Sequence, residues 1–159
     1  MERLLDIVER SLVLLKPDCI QRKLAGRVLS RFEEKGLNFI AMKLMTVTPG
    51  LAKRHYAEHV TKAWYPGLEA FITSSPLIAL VVEGPDAVRV IREMVGATNG
   101  LKAVPGTIRG DFGTSAQMNL VHASDSQESA LREIDIFFSP SEIQPYQPLL
   151  TPCLRSPDE

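Results

Sequence analysis

The sequence predicts a single α+β domain, a ferredoxin-like βαββαβ sandwich whose four-stranded antiparallel sheet carries helices on one face. Three observations predict it. Short apolar runs alternate with stretches of helical spacing. Their order is β-α-β-α-α-β-α-loop-β-α, which reduces to the βαββαβ plan. The length of 159 residues suits one domain that buries roughly 70% of its unfolded surface.

The first strand is Ser11–Leu15, an apolar run ended by Lys16-Pro17-Asp18. Ala25, Val28, Leu29 and Phe32 then recur at helical spacing, with Arg27, Arg31, Glu33 and Glu34 on the other face and Gly36 as the stop. Asn38 to Val47 returns as a strand. Thr48 is a plausible N-cap with Pro49 at the first helical position, and that helix extends to about His59. A short helix covers about Gly67 to Thr73. Leu77 to Val82 is a continuous apolar strand between Ser75-Pro76 and Gly84-Pro85. Val88, Ile91 and Val95 mark a helix stopped at Gly96. Ala97 to Gly113 is a long loop, the kind that is usually functional or disordered. Leu120 and Val121 belong to the fourth strand, and Asp125 with Glu128 resembles a capping box for the last helix.

Composition narrows the class. Hydrophobic residues make up 45% of the chain and net charge is −1, so no global basic field recruits nucleic acid. Any anionic ligand needs a few locally placed cations. No apolar run approaches the roughly 20 residues that span a bilayer, and Met1 to Arg10 is too charged for a signal peptide. Cys19 and Cys153 form no CxxC pair, which suggests a reducing cytoplasm. Five of the 11 prolines fall after Ser139, so residues 1–139 are expected to form the folded domain and 140–159 an extended, mobile tail.

The chemistry concentrates at the end of the fourth strand. His122 ends it, a helix begins within four residues, and that helix returns Glu133. Ala130, Glu133, Ile134, Phe137 and Phe138 form a core-facing stripe, in which a carboxylate is costly unless paired. His122 is its most attractive partner. The bland alternatives are a strand-end histidine with one ordinary hydrogen bond and a glutamate that reaches solvent. A neutral imidazole oriented by a carboxylate is the minimum equipment of a covalent phosphoryl carrier. The chain has no GxxxxGKS/T and no GxGxxG with a VAIK-like lysine, which excludes a P-loop and a protein kinase. Phosphates would have to be held by side chains: Lys16 after the first strand, Arg92 near a helix end, Thr98 and Arg109 in the loop. His55 and His59 lie one helical turn apart but lack HExxH spacing and a third ligand, so no metal site is assigned. Trp64 serves either the core or a base-stacking platform, and the residues alone favour core packing.

Lys16-Pro17-Asp18 with Gln21-Arg22, His55-Tyr56-Ala57-Glu58-His59, Gly96-Ala97-Thr98, Pro105 to Phe112, and Asn119-x-x-His122-x-Ser124-Asp125-Ser126 stand in the order and spacing of the nucleoside diphosphate kinase family. The resemblance runs from about Arg10 to Pro140. It implies ping-pong transfer of a γ-phosphate from a nucleoside triphosphate, typically ATP, to a nucleoside diphosphate through a phosphohistidine. By that likeness His122 attacks through Nδ1, while Glu133, helped by Ser124, holds the other ring nitrogen. Lys16 and Tyr56 contact the moving phosphoryl group, and Arg92, Thr98 and Arg109 bind the diphosphate. Asn119 and Lys16 meet the ribose, Trp64 stacks on the base, and Mg²⁺ comes with the nucleotide phosphates. It also implies a homo-oligomer, a hexamer in preference to a tetramer, with no membrane and no specific nucleic-acid partner. The alternative is a catalytically weakened member acting as a nucleotide-binding regulatory subunit.

The chain departs from the family pattern at Cys19 and Ala123, where glycine is common. It departs also at Trp64 for phenylalanine, Ala116 for valine and Gly100 for proline. A β-carbon at Ala123 would crowd the histidine if that residue needs φ > 0. Asn119 and His122 are three apart, so an ideal strand points them to opposite faces and the chain must bend between them.

Overall fold

The computed structural model describes residues 8–154 and 156. Expectations for the charged segment Met1 to Ile7, and for residues 155 and 157–159 of the tail, lie outside them. Four strands, β1 (Val8–Leu15), β2 (Asn38–Met45), β3 (Leu77–Pro85) and β4 (Val121–Ala123), form one antiparallel sheet in the order β2-β3-β1-β4. This is the expected ferredoxin-like order, with β1 and β3 central.

Helices cover both faces of the sheet, which corrects the one-face expectation. A short helix, α1 (Pro17–Gln21), follows β1. Val13, Leu15, Leu80 and Val82 pack under α2 (Ala25–Glu34) and α5 (Ala87–Val95), through Val28, Phe32, Ile91 and Val95. Leu12, Leu14, Ala79 and Val81 pack on the other side, against α3 (Pro49–His55), α4 (Tyr65–Ile72) and α7 (Gln127–Phe137), through Ala52, Ile72, Ile134 and Phe137. A strand buried on both faces has no polar side to alternate with, hence the unbroken apolar runs of β1 and β3. Burying each such Leu, Ile or Phe contributes about 1.5–3 kcal/mol.

Local chemistry sets the ends. Thr48 accepts from the Leu51 N–H at 3.2 Å, and Gly36 and Gly96 take φ of 87° and 86° at helix stops. The cap of α7 is Ser126, whose Oγ accepts from the Ser129 N–H at 3.0 Å, rather than Asp125. The helix expected to run to His59 ends at His55 and continues past Tyr56 as a 3₁₀ turn, Ala57–His59. The long loop contains a 3₁₀ turn (Gly100–Lys102) and α6 (Ile108–Phe112). A β-carbon on Gly100 would lie 2.3 Å from the Gly113 carbonyl carbon, so this loop closes over a residue that must lack one. The tail lacks regular structure over residues 143–148. Turns stand at Pro140–Glu142 and α8 (Thr151–Leu154), the Gln144 N–H donates to the Ile40 carbonyl at 2.7 Å, and Leu154 covers Gly36. Among the described residues no helix is long and apolar enough to cross a membrane.

Candidate functional site

The site begins with the register of the sheet. His122 pairs opposite Leu14, so its ring lies on the face covered by α3, α4 and α7, and Lys16, two residues beyond Leu14, follows on that side. Leu120 sits at φ 71° just before β4, and the Asp18 carboxylate accepts its N–H at 3.1 Å. That left-handed residue is the required bend. It turns Asn119 to the His122 side, where the Lys16 ammonium donates to Asn119 Oδ1 at 2.8 Å. Ala123 is not among the positive-φ residues; it pairs opposite Val13 as ordinary strand, so its methyl group brings no strain.

Behind the histidine stands Glu133, its Oε2 3.0 Å from His122 Nε2 and accepting the Ser124 hydroxyl at 2.7 Å. Ser124 in turn accepts the Leu12 N–H at 3.1 Å, which ties the group to β1. Burial pushes the Glu133 carboxyl up, but the hydrogen bond and charge of His122 and the Ser124 hydroxyl outweigh it and hold it below the usual range. An ionised carboxylate only accepts, so the proton sits on Nε2. In the neutral ring Nδ1 is then the nitrogen with the free lone pair, with no hydrogen-bond partner among the described residues.

The ring lines a cleft of 530 Å³ shared with Lys16, Tyr56, Trp64, Arg92, Thr98, Arg109 and Asn119, within the size range of small-ligand sites. Among the described residues no carboxylate lines it, and three cations, Lys16, Arg92 and Arg109, do. Lys16 is pushed down to about 8 by burial and then by Arg109. Burial, then Arg92, brings Arg109 to about 10, and its guanidinium donates to the carbonyls of Asn119 (3.1 Å), Gly96 (3.1 Å) and Val121 (2.5 Å). It thus clamps the bend to the end of α5. Burial, then Glu133 and Tyr65, pushes the Tyr56 phenol well above its ordinary range and keeps it a donor; its oxygen has no partner among the described residues. Trp64 is 52% exposed at the rim, with Ala116 among the facing residues.

Every side chain given a catalytic or nucleotide-binding role by the resemblance therefore lines this cleft or stands directly behind its histidine. Three contributors lacked an assigned role. Asp18 holds the Leu120 bend. Gln117 donates to the Gly67 carbonyl at 3.1 Å and joins the two walls beside Trp64. His55 does not share a face with His59: its ring meets that of His122 at 4.6 Å, whereas His59 turns to Trp64. Only the partner chemistry of Asp18, a carboxylate next to Lys16-Pro17, was visible in sequence.

A model of the nucleoside diphosphate kinase family matches residues 9–143. A nucleoside diphosphate kinase of Rhodopirellula baltica is 61% identical over 152 residues, 96% of this chain and 100% of that protein. One of Methanobrevibacter smithii is 52% identical, covering 89% of this chain and 94% of the relative. Among solved structures, a halophilic nucleoside diphosphate kinase of Halobacterium salinarum in complex with CDP superposes with a TM-score of 0.91 at 42% identity, over 93% of this chain and 99% of that one. Fold, cleft and likeness agree, and this protein belongs to the nucleoside diphosphate kinase family, whose function is phosphoryl transfer between nucleotides.

Proposed function

We propose that His122 carries the phosphoryl group between a nucleoside triphosphate, typically ATP, and a nucleoside diphosphate. The observation that carries this reading is the 3.0 Å contact of His122 Nε2 with an ionised Glu133, which leaves Nδ1 with its lone pair in a cation-lined cleft. Nδ1 attacks the γ-phosphorus. The Nδ1–P bond forms as the bond to the β,γ-bridging oxygen breaks, and the nucleoside diphosphate leaves with that electron pair. The Nε2 proton stays in place, and Glu133 stabilises the positive charge gained by the ring. A second nucleoside diphosphate then reverses the step.

Phosphoryl transfer needs positioning and positive charge more than covalent help. Lys16 and Tyr56 donate to the moving phosphoryl group, Arg92, Thr98 and Arg109 to the diphosphate, and Asn119 with Lys16 to the ribose. Trp64 stacks on the base. The amide nitrogen of Gln117 is engaged by Gly67, which supports stacking without readout of the base edge. With no carboxylate in the cleft, these residues fit a Mg²⁺ carried by the nucleotide itself. Such an ion would supply neutralisation of the phosphate charge. A weakened, regulatory subunit is not favoured, because no expected side chain is missing from the cleft.

A homo-oligomer, preferentially a hexamer, is supported by two separate apolar exposures: Met42 and Leu44 on β2, Leu101 and Val104 on the loop. A reducing, cytoplasmic setting is supported by two free cysteines, Cys19 being buried with its thiol pushed up to about 12. Incubation with γ-labelled ATP tests the central step. The protein acquires an acid-labile, base-stable label that a nucleoside diphosphate removes, and His122→Ala acquires none. Label surviving that substitution refutes the assignment.

A further inference from the structure

His55 is buried, 5% exposed, and neither of its ring nitrogens has a hydrogen-bond partner among the described residues. Buried polar groups are normally satisfied, so this ring calls for an explanation. Its edge-on contact with His122 (84° between planes) sets it beside the His122–Glu133 pair. We propose that His55, His122 and Glu133 form a binding site for a zinc ion, and that zinc there blocks the carrier histidine.

Each residue offers one ligand atom, and the three atoms lie within 4.8 Å of one another. Two imidazoles and a carboxylate are a zinc donor set with a fourth position left for water. Magnesium prefers an octahedron of oxygens and is the wrong ion for it. Entry is provided by a 150 Å³ cavity lined by all three ligands and Arg132.

Two features limit the affinity. Zinc bonds of about 2.0–2.1 Å put tetrahedral ligands roughly 3.3 Å apart. The His122–Glu133 contact of 3.0 Å is already that close, so it is His55 that must move in, from as much as 4.8 Å. Arg132 also lies 3.9 Å from Glu133 Oε1 and repels an incoming cation. The site therefore suits reversible inhibition rather than permanent structural zinc. That inhibitory consequence rests on the phosphohistidine reading; the binding itself does not.

Calorimetric titration of the full chain with zinc chloride, without nucleotide, tests the binding. One zinc per chain is expected, with affinity weakened at least about tenfold in His55→Gln and in Glu133→Gln and kept in His59→Gln. If His55→Gln does not fold, Glu133→Gln decides alone. In the second arm, zinc slows label uptake from γ-labelled ATP and a chelator restores it. Wild-type affinity in the substituted ligands, dependence on His59, or no site in the wild type overturns the proposal. Label uptake by His122→Ala would instead overturn the carrier assignment and leave the zinc titration to be judged by itself.

Discussion

Glu133→Gln isolates the electrostatic half of the carrier argument. Glutamine keeps the shape and an oxygen that still accepts from His122 Nε2 at the observed 3.0 Å and from Ser124 at 2.7 Å. What it removes is the negative charge facing a ring that becomes cationic as Nδ1 takes the phosphoryl group. A hydrogen bond to a charged partner contributes about 1.5–3 kcal/mol. Because that charge matters more in the transition state than in the neutral ground state, the loss falls on the rate and amounts to roughly 10- to 150-fold. Trp64 is the only tryptophan and lines the cleft, so single-turnover mixing with ATP, read by its fluorescence, follows the step directly. An unchanged phosphorylation rate in Glu133→Gln, with ATP binding intact, would refute the reasoning.

Three further perturbations probe the surroundings. Lys16 is charged only below about 8, so kcat/KM for ATP is expected to fall as pH rises through that value, and Lys16→Arg to move this limb to higher pH; a profile unchanged by Lys16→Arg contradicts the role. His55 titrates near 3 when folded against 6.5 as its ordinary value, so below pH 6.5 the unfolded chain takes a proton that the folded one refuses. Stability is therefore lost as pH drops from 6.5 toward 3 and is unaffected above; at pH 5 the loss is about 2 kcal/mol, and urea titrations of His55→Gln at pH 5 and 7.5 should show it removed. Gly100→Ala forces a β-carbon to 2.3 Å from the Gly113 backbone. It should cost about 1–3 kcal/mol, lowering Tm by roughly 3–9 °C in calorimetry.

Much of this was legible in the chain itself, for identifiable reasons. Helix stops at Gly36 and Gly96 and the Thr48 cap depend on local chemistry, which sequence displays. So does the conflict between Asn119 and His122, which demanded a bend; that Leu120 makes it, against the steric preference of a large residue, depends on Asp18, 102 residues away. The second helical layer was misjudged because each helix shows one apolar face whichever side of the sheet it covers. Unbroken apolar runs in β1 and β3 were the overlooked clue. The α7 cap moved from Asp125 to Ser126 because both are good caps and only backbone geometry separates them. His55 looked like half of a pair with His59 because helical spacing was carried through Tyr56, where the helix ends. Its actual neighbour, His122, is distant in sequence and invisible to periodicity.

The position of the phosphoryl group on the ring tests the central claim most directly. Phosphorus-31 and nitrogen-15 NMR of the protein after reaction with ATP distinguishes the two nitrogens. With Nε2 held by Glu133, the phosphorus is expected on Nδ1 of His122 alone. Phosphorus on Nε2, or on a different residue, would contradict the account.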